Sequence, residues 1–140
     1  MADWTPRSGY EAVGGYVWLP RLLDKVRRML SGAPGEYFAL ETSPLDQAAL
    51  RLWGVKGRQI REWVEEGLSD EAIAQRVAET GGANPRLVSQ AFMLVWAPFL
   101  LVLEADEGRL TGPAGALKGA VPVLLGLRKL MVALGLTKAA

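Results

Sequence analysis

Three cations raise the question of chemistry first. Arg21, Lys25 and Arg28 are spaced i, i+4, i+7, so on a helix they line one face. Like charges in a row repel, so this face predicts either a bound anion or neighbouring acids. Asp24 is one such acid, three residues after Arg21 and four before Arg28. The segments that follow supply Glu36, Tyr37, Asp46 and Gln47. If they fold against the cationic helix, Asp24, Glu36 and Asp46 neighbour Arg21 and Lys25. Three readings stay open. The face binds a phosphate, a carboxylate or an acidic partner. Alternatively, two carboxylates whose surroundings push their pKa values apart serve as acid and base. Or the cluster is a buried polar network, tolerated only when fully paired. The candidate ligand-binding residues are therefore Arg21, Asp24, Lys25, Arg28, Glu36, Tyr37 and Asp46. No residue earns a catalytic assignment.

Composition narrows the chemistry. The 140 residues include no histidine and no cysteine. That removes the commonest general base, thiol nucleophiles, disulfides, zinc–thiolate sites and iron–sulfur clusters. A metal would have to sit among oxygen ligands, as Mg or Ca does. No metal and no cofactor is expected. Gly14-Gly15 could admit a phosphate close to the backbone. Neither G-x-G-x-x-G nor G-K-[ST] is present, so the pair reads as a plain flexible turn. Sixteen cations against 15 anions leave +1, too little surplus for a general nucleic-acid binder. The lack of cysteine, and an N-terminus without a signal-peptide core, suggest a cytoplasmic protein.

These residues need elements to position them, and nearly every start and stop signal is helical. Pro20 and Gly32 bracket a first helix over 20–31, with Leu22, Leu23, Val26, Met29 and Leu30 as its apolar stripe. Ser43 caps a second, with Pro44 in its first position and its end near Trp53. A third covers 57–66, with Ile60, Trp63 and Val64 inward. Ser69 caps a fourth that places Ile73 and Val77 inward and ends at Gly81-Gly82. Asn84-Pro85 starts a fifth, which kinks or restarts at Pro98 and continues to Asp106. The last element covers about 121–134, apolar on nearly every side. One short extended piece, Tyr16-Val17-Trp18-Leu19, is closed by Pro20. Of five tryptophans, Trp53, Trp63 and Trp96 read as core, and Trp4 and Trp18 as surface.

Residues 87–103 carry no charge, the short limit for a membrane span. Ser89, Gln90 and Pro98 interrupt them, so they read as core helices or as helices buried at a subunit interface. No membrane partner is expected.

The run Gly15-Tyr16-Val17-Trp18-Leu19-Pro20-Arg21-Leu22-Leu23-Asp24-Lys25-Val26-Arg27, then Gly35-Glu36-Tyr37, then Pro44-Leu45-Asp46, resembles a bacterial family, domain of unknown function 5069. Gly67-Leu68-Ser69-Asp70-Glu71 and Leu103-Glu104-Ala105-Asp106-Glu107-Gly108-Arg109 resemble it more loosely. The likeness extends to about Arg109 and leaves out the apolar tail after Gly112. It implies a small, helical, cytoplasmic protein and no particular activity. It also implies that histidine often stands where this chain has Trp18, so a histidine-dependent activity would not be shared.

Together these point to one all-α domain, a compact irregular (orthogonal) bundle of six to seven helices. Residues 1–14 are expected to be partly disordered, and 113–140 to form an apolar helical segment in the core or at an oligomer interface. The apolar surplus predicts a homodimer or higher oligomer. The expected function is a non-catalytic module binding an anionic small molecule or acidic partner through Arg21, Lys25 and Arg28. A small Asp/Glu acid–base enzyme and a purely structural, oligomeric protein are the alternatives.

Overall fold

The structure, a computed structural model, describes residues 4–32 and 38–109. The expectations for Glu36, Tyr37 and the helix over 121–134 lie outside the described residues.

The two glycines set the first element. Gly14 and Gly15 have φ of +59° and +85°, the left-handed pair that a two-residue hairpin turn demands. They join β1 (Ala12–Val13) to β2 (Tyr16–Val17), antiparallel, with Ala12 opposite Val17 and Val13 opposite Tyr16. The turn is thus a shaped hairpin, not a plain flexible link. The chain then enters α1 (Leu19–Leu30) through Trp18.

Ser43 caps α2 (Pro44–Trp53), its hydroxyl accepting from the Asp46 N–H at 3.1 Å. A 3-10 turn, Leu40–Thr42, precedes it. In α3 (Gly57–Glu65), Ile60 and Trp63 are buried and Val64 is half-buried. Ser69 caps α4 (Asp70–Gly81), accepting from the Ala72 N–H at 3.2 Å. Asn84 caps α5 (Pro85–Asp106), its Oδ1 accepting from the N–H groups of Arg86 and Leu87. α5 runs unbroken through Pro98; that proline removes only one ladder bond, to the Leu94 carbonyl.

Packing divides the chain into two compact units, Met1–Val95 and Trp96–Ala140. In the first, α1 packs on α3, α4 and the hairpin, and α4 touches α2 and α3. Leu22, Val26, Ala49, Ile60, Ile73 and Val77 form its core. Gly81 closes α4 against the end of α2. A Cβ there would stand 1.6 Å from the Trp53 carbonyl oxygen, so only glycine fits. In the second unit, Leu100, Val102 and Ala105 are buried, and Trp96 meets Phe99 edge-on at 5.4 Å.

The fold is mostly helical, as expected, but the count differs. Five α-helices and a two-stranded hairpin stand among the described residues, not six to seven helices. Trp18 is fully buried, not a surface residue, and Trp96 is half-buried, not core. Sequence periodicity misses Trp18 because it precedes the helix and is carried inward by the hairpin.

Candidate functional site

The α1 cations do not form an open face. Arg21 is 2% exposed and Lys25 5% exposed. Lys25 is turned toward α2, and Arg21 toward the Arg7 carbonyl and the Trp18 ring. Lys25 Nζ lies 2.7 Å from Asp46 Oδ1, and Asp46 is itself 0% exposed. The Trp18 indole N–H donates to the same oxygen at 2.7 Å, and the Leu40 N–H donates to Oδ2 at 2.8 Å. Ser43 Oγ, the α2 cap, lies 3.5 Å from Lys25 Nζ. One carboxylate therefore ties α1, the hairpin exit, the 3-10 turn and α2 together.

Two of its donors belong to residues in the left-handed region. Trp18 has φ +80° and Leu40 φ +50°. Each such conformation costs roughly 1–3 kcal/mol and persists only where surrounding structure enforces it. Asp46 holds the Leu40 backbone directly, while Trp18 is held by its indole N–H on Asp46 and its backbone N–H on the Glu11 carbonyl.

Trp18 also organises the cations. Arg21 Cζ lies 5.3 Å and Lys25 Nζ 5.2 Å from its ring centroid, within cation–π range. Phe92 meets the ring at 5.4 Å. Arg28, the third cation, is half-buried and stands 5.1 Å from the Trp4 ring centroid.

Asp24 takes another partner. Arg7 donates to it three times, through its backbone N–H, Nε and Nη2, at 2.8, 3.0 and 2.9 Å. Arg7 Nη2 also lies 2.8 Å from Asp70, which receives a further bond from Arg27. Burial pushes the Asp70 carboxyl up, but the hydrogen bonds and charge of Arg27 and Arg7 outweigh it and hold the pKa below its ordinary value. Arg21 joins the two networks: its Nη1 donates to the Arg7 carbonyl at 3.2 Å.

Of the expected site residues, Arg21, Lys25 and Asp46 do come together. Asp24 neighbours Arg21 through Arg7 rather than along its own helix. Sequence reasoning missed Arg7, Trp18, Ser43 and Asp70. Ser43 and Asp70 were legible only as helix-start residues. Arg7 carries no sequence signal, since its partners lie 17 and 63 positions away. Among the described residues, no three acidic side chains gather to hold a metal ion.

Comparison with curated proteins and with solved structures yields no match to this chain. A family model does match, over residues 3–111, a range that holds every block of the resemblance and both charged networks. The chain belongs to the DUF5069 family, a domain of unknown function.

Proposed function

We propose that this chain is a non-catalytic module that works by protein–protein association. The non-catalytic part of this reading rests on the pairing of its two described candidate acids, and association rests on Leu94, Val95 and Leu87, the most exposed large apolar side chains among the described residues. Asp46 already receives Lys25, Trp18 and Leu40, and Asp24 receives three bonds from Arg7. A general acid or base needs a reacting group within hydrogen-bond reach of its proton site. A carboxylate filled with fixed donors offers none, and Asp46 is withdrawn from solvent as well. Burial also argues against an anion held by the α1 cations, because Arg21 and Lys25 face inward and Lys25 already holds Asp46. These charges read as framework.

The test is thermal unfolding of the whole chain against inorganic phosphate and citrate at constant ionic strength. A ligand that binds only the folded state raises Tm with its concentration. No specific rise is expected. A saturable rise that disappears in Arg28→Ala, with the fold intact by circular dichroism, would replace this reading with an anion site on α1.

A further inference from the structure

Residues 4–11 form a strap that follows α1 in the opposite sense. Trp4 meets Arg28, Arg7 meets Asp24, and the Glu11 carbonyl accepts from the Trp18 N–H. Of these strap residues only Pro6 and Gly9 are buried. Its centre is Arg7, which the body of the protein reads on both side chain and backbone. Nε and Nη2 grip the two oxygens of Asp24 at 3.0 and 2.9 Å, a bidentate pair. Nη2 also lies 2.8 Å from Asp70 on α4. The Arg7 N–H donates to Asp24 at 2.8 Å, and its carbonyl accepts from Arg21 Nη1 at 3.2 Å. Arg21 is itself 2% exposed, so this donor is fixed in the body. A segment with so little buried apolar surface opens locally while the rest of the fold stays intact.

We propose that the α1–α4 face under the strap is a binding site for an extended segment of a partner protein, one that carries an arginine with an aromatic residue three positions before it, and that the strap is the resident competitor. Charge selects the arginine. Arg27 already meets Asp70, which leaves Asp24 to the incoming guanidinium. A lysine has one nitrogen and cannot copy the fork that spans both Asp24 oxygens and reaches Asp70. Arg21 and the Asp24 carboxylate read the backbone carbonyl and N–H on either side of that arginine's Cα, so an extended chain fits whatever its neighbouring side chains. Arg28, 5.1 Å from the Trp4 ring centroid, favours an aromatic residue at the second anchor. The site stands on other residues than the apolar α5 side chains of the association reading, so either can fail alone.

The experiment is fluorescence anisotropy with a synthetic peptide spanning residues 4–10, labelled at its C-terminus, against the full chain carrying Arg7→Ala. Saturable binding is expected. The wild-type chain should bind about tenfold or more weakly, because its own strap competes at high effective concentration. Binding should be lost when Asp24→Asn is added to Arg7→Ala, lost with a peptide whose arginine is replaced by alanine, and weakened with lysine there. Should Arg7→Ala fail to fold, a nitroxide on Thr5→Cys decides. Thr5 is exposed and the chain has no cysteine, so this is the sole thiol. The unlabelled peptide should then free the strap, raising the mobile fraction of the nitroxide saturably while the helical circular dichroism stays unchanged. The alanine peptide should not. A folded Arg7→Ala chain that does not bind the peptide overturns the proposal. So does binding that survives Asp24→Asn or that the alanine peptide matches, since the guanidinium would then not be what is read. In the nitroxide arm, a strap that the peptide leaves immobile overturns it as well.

Discussion

Lys25 Nζ and Asp46 Oδ1 stand 2.7 Å apart, with both side chains withdrawn from water. The pair joins the middle of α1 to the first turn of α2, 21 residues on. Removing one member leaves the other as a buried uncompensated charge, which costs about 3–5 kcal/mol. Lys25→Met should therefore lower stability by that order in urea unfolding. Lys25→Met with Asp46→Asn should regain part of it, because no bare charge remains. A single variant as stable as the wild type would mean the pair is not buried as described.

Gly81 gives a test in which two rules oppose each other. Helix propensity alone predicts that Gly81→Ala gains about 1 kcal/mol. The new Cβ, however, would stand 1.6 Å from the Trp53 carbonyl oxygen, and forced overpacking costs roughly 1–3 kcal/mol. The clash should win, since the obstacle is backbone. A lower urea midpoint is expected. A raised midpoint would show that α2 and α4 do not end this close together.

Asp70 should govern part of the acid response. Its folded pKa lies below the ordinary value because Arg27 and Arg7 outweigh burial. A depressed carboxyl contributes stability that is fully present above the unfolded pKa of about 3.9 and is lost as pH falls through the folded value. Asp70→Asn should flatten the stability profile in that window and lower stability at neutral pH. Arg7 and Arg27 are partly open to solvent, so screening limits the effect and added salt should shrink it. An unchanged acid limb in the variant would refute the assignment.

Tyr16 should act at the other end of the scale. Burial raises its pKa, because the phenolate loses hydration. Stability is then fully present below the unfolded value of about 10 and falls as pH rises through the folded value. Tyr16→Phe should lose about 1 kcal/mol at neutral pH, since the hydroxyl donates to the Ala83 carbonyl at 3.3 Å. It should then lose less than the wild type on further alkalinisation. Parallel alkaline limbs would show that Tyr16 ionises as freely in the folded chain as in the unfolded one.

Local signals were strong enough to place the helices. Ser43-Pro44 and Ser69 start α2 and α4 where caps belong, and Gly54 and Gly82 follow their last residues. These are nearest-neighbour effects: a side-chain oxygen meets an N–H three residues on, and a glycine accepts positive φ. The family was legible too, because its first block is a contiguous string of residues. What a one-dimensional pattern cannot carry is rotation and partner choice. Arg21 and Lys25 lie on a helix face that looks solvated by charge alone. Only Asp46 arriving from α2, with the Trp18 ring beside it, turns that face into interior. Asp24 had two cations within reach on its own helix, yet Arg7 took it from 17 residues away. Residues 87–103 were apolar enough to suggest burial, but the bonds from Ser89 to the hairpin rotate Leu87 and Leu94 outward. Composition thus determined what the chemistry would lack, and local spacing determined where helices begin and end. Tertiary structure decided which charges meet and which apolar face stays bare, because both depend on elements distant in the chain closing on one another.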